Sequence, residues 1–364
     1  MKKILVFIPD LRKPGGVANY YKTIRRHLDS DIDYFVRGPK LNSILPVPLA
    51  YLFDYYRFFF HLLFRRCDLY VLNTSFAKSG TFRDSIFILL LRIFKRRFIV
   101  FFRGWDKEWE INVERNSLYQ KFPLSVFKHA KSVIVLADEF KCVLQRWGFE
   151  QYIYTETTVV DDQFVGISDA RESLQNDEIL SFLYMARVER NKGIFDAIDF
   201  FELFSATYSH LRTVFYIAGD GSALEEAKAY VKNWNITNIA FLGHVNGVDK
   251  YSALQNADIF LFPSNHGEGM PNSVLEAMAC GCFIVTTQVG GIKDFFVAEN
   301  MGLVWSKEKS MRSLSSDLYS SVCDRERLRK VCDYNQEYAA KNFLSNVVSQ
   351  RLMAIFGENL RNND

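Results

Sequence analysis

Short runs rich in β-branched and aromatic residues alternate with longer amphipathic stretches along nearly the whole chain. In the first half the runs fall at 3–9, 33–38, 69–73, 98–104 and 132–137, and in the second at 180–187, 214–218, 239–243, 259–263, 283–287 and 302–305. This alternation predicts an α/β protein of parallel sheets with crossover helices. Between Glu156 and Asn176 the large apolar residues lose their periodic order and Asp161-Asp162 interrupts them, which marks a linker. Two Rossmann-like domains of similar size follow, residues 1–165 and 166–344. The final stretch, Tyr334 to Leu360, has apolar residues at Phe343, Val347, Leu352 and Phe356 and predicts a long helix. Its last part, about 345–364, offers more surface than one small domain needs and is expected to pack back on the first domain.

The same pattern limits the classes of function. No stretch approaches the ~20 apolar residues of a membrane span; the run Ile86 to Leu91 is followed by Arg92, Lys95, Arg96 and Arg97. The apolar start, MKKILVFIPDL, is cut by Pro9-Asp10, too early for a signal-peptide core, and is expected to be the first strand. Six cysteines at 67, 142, 280, 282, 323 and 332 form no Cys-x-x-Cys pair and have no histidine at zinc-finger spacing. That speaks against a disulfide framework or a structural metal and for a reducing, cytoplasmic compartment. The 364 residues carry 45 Lys+Arg against 42 Asp+Glu. A net charge of +3 argues against a nucleic-acid partner, because such domains usually hold a large basic surplus.

That total hides an asymmetry. Residues 1–166 hold 26 Lys+Arg and 17 Asp+Glu, a net +9, whereas the remainder is at −6. The basic excess coincides with two aromatic clusters, one from Tyr51 to Arg66 and one from Phe87 to Arg97. Helices that mix bulky apolar residues with Lys and Arg can lie in an anionic membrane interface. Alternatively such helices face the core and carry solvated basic ends. Two stretches of this kind in one domain tip the balance toward a peripheral position on the cytoplasmic face of the inner membrane.

The densest chemistry lies in the segment from His266 to Gly281. It follows the apolar strand at 259–262, contains Gly267 and Gly269, sets Pro271 at a helix start and ends on Gly281 at a helix stop. Strand, glycine loop and helix N-terminus at the carboxyl end of a parallel sheet make an anion site, because free N–H groups and the helix dipole point at the ligand. Glu268 in the loop and Glu276 in the helix can accept hydrogen bonds from sugar or ribose hydroxyls, so the combination points to a sugar nucleotide. Either could also be an ordinary surface glutamate.

Glu268 and Glu276, eight apart in this Gly/Pro-rich context, resemble the E-x7-E signature of retaining GT-B glycosyltransferases, specifically the nucleotide-sugar-dependent family 4. Other segments agree in order and spacing: Met185 to Gly193, Ala218-Gly219-Asp220-Gly221, Phe241-Leu242-Gly243-His244-Val245 and, near the start, Pro14-Gly15-Gly16-Val17-Ala18. The resemblance implies two Rossmann-like domains facing across a cleft. It also implies a UDP-, GDP- or ADP-sugar donor, retention of anomeric configuration and a saccharide acceptor. Arg187 and Lys192 would clamp the donor diphosphate, aided by the backbone around Gly267, Gly269, Met270, Pro271 and Asn272. Gly219 would line the site, His244 and Val245 would lie near the base, Glu276 would hold the ribose and Glu268 the sugar. Gly15 and Gly16 would let acceptor and donor phosphate approach the backbone.

One departure stands out. Where many family members have a histidine after the fourth strand, this chain has Arg103, followed by Gly104-Trp105-Asp106. A guanidinium cannot act as a base at neutral pH but can hold a phosphate or a hydroxyl; Asp106 is a candidate acceptor-side carboxylate. No cofactor or metal is expected. The Asp29-Ser30-Asp31-Ile32-Asp33 run reads as a surface turn rather than a metal-binding Asp-x-Asp. With the basic, aromatic first half, these features predict a transferase acting on a lipid-linked saccharide in surface polysaccharide assembly, an O-antigen or a capsule. The alternatives are another GT-B enzyme, such as a sugar-nucleotide epimerase or a phosphorylase, and a non-catalytic GT-B-like membrane or complex partner.

Overall fold

A computed structural model describes residues 3–28, 30–41, 46–164, 179–265, 267, 269–306 and 308–361. The chain divides into two units, one comprising Met1–Val159, Gly267–Met270 and Ser345–Asp364 and the other Val160–His266 and Pro271–Leu344.

In the first unit, strands β1 (Ile4–Ile8), β2 (Ile32–Val36), β3 (Leu69–Phe76), β4 (Phe98–Trp105), β5 (Ser132–Val135) and β6 (Tyr152–Thr155) form a sheet in the order β2-β1-β3-β4-β5-β6. All its pairings are parallel. The connecting helices are α1 (Gly16–Ile24), α2 (Val47–Phe64), α3 (Lys78–Ile93), α4 (Lys107–Arg115), α5 (Ser117–Lys121), α6 (Leu124–Phe127) and α7 (Asp138–Arg146). Strand β6 is missing from the sequence expectation; its residues, Tyr-Ile-Tyr-Thr, suit a strand, but it is only four residues long with Ile153 alone buried, as a short edge strand can be. Asp29 lies outside the described residues, while Ile32 and Asp33 already belong to β2, in register with Ile4 and Leu5.

Much of the aromatic surplus fills this unit's core. Phe7, Phe35, Phe58 and Phe87 pack edge to face or tilted, with centroids 4.9–6.2 Å apart, an arrangement favoured by the ring quadrupole. Beside them lies a buried polar cluster. Asp84 accepts from Arg37 and from Arg83, and Arg37 also reaches the Asn73 carbonyl. Two arginines on one inaccessible carboxylate supply the pairing that burial requires.

The second unit carries β7 (Leu180–Met185), β8 (Thr213–Ala218), β9 (Ile239–Gly243), β10 (Ile259–Phe262), β11 (Phe283–Thr286) and β12 (Gly302–Val304) in the order β12-β11-β10-β7-β8-β9, again parallel. Its helices are α8 (Ile194–Thr207), α9 (Leu224–Asn233), α10 (Gly247–Gln255), α11 (Asn272–Ala279), α12 (Met311–Cys323) and α13 (Arg325–Asn342). Part of the expected linker, 165–178, lies outside the described residues.

The long helix expected from Tyr334 to Leu360 is two helices, α13 and α14 (Ser345–Arg361), separated at Phe343-Leu344. The Phe343 carbonyl accepts from the Val160 N–H at 2.8 Å, and Val160 and Leu344 form a parallel bridge, so this backbone pairs with an extended segment instead of continuing a helix. Helix α14 then belongs to the first unit. There Arg351 pairs with Glu156 at 3.0 Å, Ser132 donates to Asn359 at 2.9 Å and Tyr154 donates to Glu358 at 2.6 Å.

Candidate active site

At the carboxyl ends of β7, β8 and β9 the second unit's loops are tied together through their backbones. Val188 N donates to Asp220 O at 3.0 Å, Ala223 N to Val188 O at 3.0 Å, and Gly219 N to Gly243 O at 2.7 Å. Gly219 has φ +148°, and a Cβ there would lie 1.9 Å from the Ala186 carbonyl oxygen, so glycine permits the close approach. On the other side, Asn265 N donates to Asn191 O at 3.0 Å, joining the loop after β10 to the turn before α8. The carboxyl ends of strands in an open parallel sheet are where such folds bind ligands.

Arg187 stands in the loop after β7 with its side chain 66% exposed, 3.0 Å from Glu189. Lys192, five residues on, is buried in the turn before α8. The Tyr184 hydroxyl lies 3.2 Å from the Arg187 carbonyl and 3.3 Å from that of Lys192, fixing both ends of this cationic loop. His244 is exposed and Val245 half-buried just after β9. Pro271 precedes α11, as its fixed φ allows, and Gly281 follows the helix with φ +70°. Asn272 begins α11, and its buried Oδ1 accepts no hydrogen bond among the described residues.

Glu276, in the middle of α11, is buried, and the Lys250 ammonium on α10 sits 2.6 Å from its carboxylate. Lys250 donates to Oε1 and also lies 2.6 Å from buried Oε2, which accepts no aligned hydrogen bond among the described residues. Burial pushes this carboxyl above the usual 4.5, with Lys250 opposing it. The arrangement is a desolvated carboxylate with both oxygens facing one ammonium. Sequence reasoning named Glu276 and missed Lys250, because no short-range spacing connects residue 250 to residue 276. Glu268 and His266 lie outside the described residues. Gly267, Gly269 and Met270 group with the first unit, and Pro271 and Asn272 with the second.

In the first unit, Gly15 has φ +153° and α1 begins at Gly16. Arg103, near the end of β4, lays its guanidinium 3.5 Å over the Tyr20 ring and 4.2 Å from that of Phe101. Its buried Nη1 has no hydrogen-bond partner among the described residues, a cationic donor of the kind that suits an anion or a sugar oxygen. Burial pushes the Tyr20 phenol up, so it stays protonated. Asp106 takes a role the sequence reading did not give it: its Oδ1 caps α4, accepting from the N–H groups of Glu108 and Trp109 at 2.9 and 3.1 Å. An Asp directly before a helix is the signal that marks such a cap. Asp10, also missed, accepts from Arg12 and from the Leu41 N–H, which together hold its carboxyl well below the usual range.

Residues 168–338 match the family Glycosyl transferases group 1. Over 191 residues the chain is 31% identical to the N,N'-diacetylbacillosaminyl-diphospho-undecaprenol alpha-1,3-N-acetylgalactosaminyltransferase of Campylobacter jejuni, covering 52% of this chain and 48% of that protein. It thus spans about half of that relative's length. It is 25% identical to the capsular polysaccharide biosynthesis glycosyltransferase CapM of Staphylococcus aureus, over 65% of this chain and 60% of that one. Among solved structures, Anabaena HepE in complex with UDP superposes with a TM-score of 0.74 at 15% identity, covering 98% of this chain and 100% of the other.

Proposed function

We propose, from the premise that residues 168–338 form a group 1 glycosyltransferase domain on a GT-B fold, that the protein moves a sugar from a nucleoside diphosphate to an acceptor hydroxyl with retention of configuration, in the manner of family 4. The observation that carries this reading is the buried Glu276–Lys250 pair on the same unit as the cationic loop of Arg187 and Lys192. A carboxylate held beside one ammonium, with lone pairs left on both oxygens, suits a ribose diol. Two cations and the N–H groups opening α11 suit a diphosphate, on which negative charge grows as the glycosidic bond breaks. Each well-placed donor there contributes about 3 kcal/mol to the transition state. Glu268 orients the sugar hydroxyls. No residue is nominated as a covalent nucleophile; the leaving phosphate itself helps deprotonate the acceptor on the same face.

The acceptor in this reading is a lipid-linked saccharide of a surface polysaccharide, and the enzyme is peripheral on the cytoplasmic face of the membrane. Support comes from the basic first half of the chain and from the relative whose name specifies a diphospho-undecaprenol acceptor. Among the described residues no helix is long and apolar enough to cross a membrane. The donor is a UDP-, GDP- or ADP-sugar, and HepE, crystallised with UDP, makes UDP the first to test.

Thermal-shift screening of the three nucleotide classes is expected to show one that raises the melting temperature, since a ligand of the folded state stabilises it. With that donor, slow release of free sugar should disappear in Glu268→Ala and Lys192→Ala and persist in excess EDTA. Turnover that is lost in EDTA and restored by Mg2+ or Mn2+ would overturn the metal-free reading. Full-rate consumption of the donor, or of phosphate, with no second sugar acceptor and no slow release of free sugar would favour an epimerase or a phosphorylase.

A further inference from the structure

Helix α2 is amphipathic in the wrong sense for a helix facing water. Its inner positions Ala50, Asp54, Phe58 and Leu62 recur every four residues and are buried. At helical spacing on the opposite side stand Leu49, Leu52, Phe53, Tyr56, Phe59, Phe60, Leu63 and Phe64, all exposed, from 38% at Phe59 to 78% at Phe64. This outward stripe contains no charged residue over a helix about 27 Å long. Soluble surfaces seldom leave so continuous an apolar face to water.

The stripe has a basic rim. Arg65 and Arg66 follow its C-terminal end and are exposed. Phe59 touches Phe94 at the end of α3, centroids 5.6 Å apart, which brings exposed Arg92, Ile93, Lys95 and Arg97 alongside. Two of the nearby acids are engaged, Asp54 buried against Arg57 and the Gly38 N–H and Asp68 accepting from the Lys3 N–H at 2.8 Å, which leaves exposed Asp33 among a larger number of arginines. Beside the helix a cavity of about 450 Å³ is lined by Tyr34, Tyr56, Phe60, Arg57, Arg65 and one acid, Asp33, an aromatic hollow in which the arginines outnumber the carboxylate.

We infer that α2 is the membrane-docking element, lying in the plane of an anionic bilayer with its outer stripe among the acyl chains and the arginine rim at the headgroup phosphates. This deepens the peripheral-membrane part of the reading above and rests on it. Charge decides the occupant. A second copy would bring the same face, with a basic rim of its own and no acidic counterpart to it, whereas a bilayer of anionic lipids complements the arginines directly.

The test is co-sedimentation of the full chain with vesicles of phosphatidylglycerol and phosphatidylcholine or of phosphatidylcholine alone, at low and high salt. The wild type is expected to bind the anionic vesicles preferentially, and less so as salt rises. Leu52→Glu with Phe64→Glu should weaken binding at least tenfold with an unchanged melting temperature, because both residues are exposed. Arg65→Glu with Arg66→Glu should erase the preference for anionic lipid. Undiminished binding by the first double variant would overturn the assignment to α2 while leaving the peripheral reading standing. Binding of the wild type to neither vesicle would overturn both. A wild-type dimer that the Leu52/Phe64 variant converts to monomer, without vesicle binding, would identify the occupant as a second copy and sink the inference. Donor hydrolysis, measured without lipid, reports separately on catalysis.

Discussion

Glu276 and Lys250 set the strongest constraint at the scale of single residues. A buried carboxylate is favoured as an ion only by what faces it, and here Lys250 opposes the burial that raises its pKa. Removing the ammonium in Lys250→Met takes away the lowering influence, so the carboxyl must titrate at still higher pH. The acidic limb of kcat/KM is therefore expected to move upward in this variant, with activity partly recovered as pH is raised; an unmoved limb would show that Glu276 is not the titrating group. Stability follows the same sign. Because the folded-state pKa lies above the usual 4.5, stability falls as pH rises from there through the folded value, and the fall should extend further in the variant. The glutamate was visible in the sequence because its partner motif is local. The lysine was not, because α10 and α11 are separated by a strand and their meeting is a product of packing. Asp106 shows the reverse case, a carboxylate whose helix-capping role was written in the chain and was passed over for a chemical one.

At the scale of elements, strands announced themselves where they are buried on both faces. β3 and β7 read as apolar runs because crossover helices cover parallel sheets; β9, only partly buried at its edge, was legible as well, and what hid β6 is its length of four residues with one of them buried. The cluster that joins β2, β3 and α3 was equally silent, since Arg37, Asn73 and Asp84 are far apart in sequence. Asp84→Asn is expected to cost about 3–5 kcal/mol in urea unfolding, because it leaves two arginines facing a neutral group in the core. Burial raises the Asp84 pKa, but Arg37 and Arg83 outweigh it and hold it below 3.8. Its stabilisation is thus complete above that value and lost as pH falls below it, a decline the Asn variant should lack. Helix α2 also belongs here. Its aromatic and basic content was legible, but which rings point inward was decided by the register of Phe58 and Leu62 against the sheet.

For the molecule as a whole, the near-neutral total conceals a division of charge between a basic first half and an acidic second half. The alternation of runs and amphipathic stretches was enough to imply two parallel sheets; the strand orders, with β1 and β7 each inside its sheet, follow from crossover connections that no local pattern encodes. Helix α14 ties the end of the chain to the first unit through Val348, Leu352, Ile355 and Phe356, all buried, and through Arg351. Ending the chain at Leu344 should remove roughly 5 kcal/mol or more from that unit, at about 1.5–3 kcal/mol per buried side chain. Calorimetry is expected to show one lowered transition while that of the second unit is kept; a uniform shift of both would refute the assignment. Synthesis proceeds in the opposite order to this completion. A domain ordinarily folds as it leaves the ribosome, but here the unit made first cannot close until α14, made after the second unit, has emerged. Through the whole translation of the second unit, the surface that α14 will cover is exposed to water and chaperones, so folding of the first unit must finish after the second has been made.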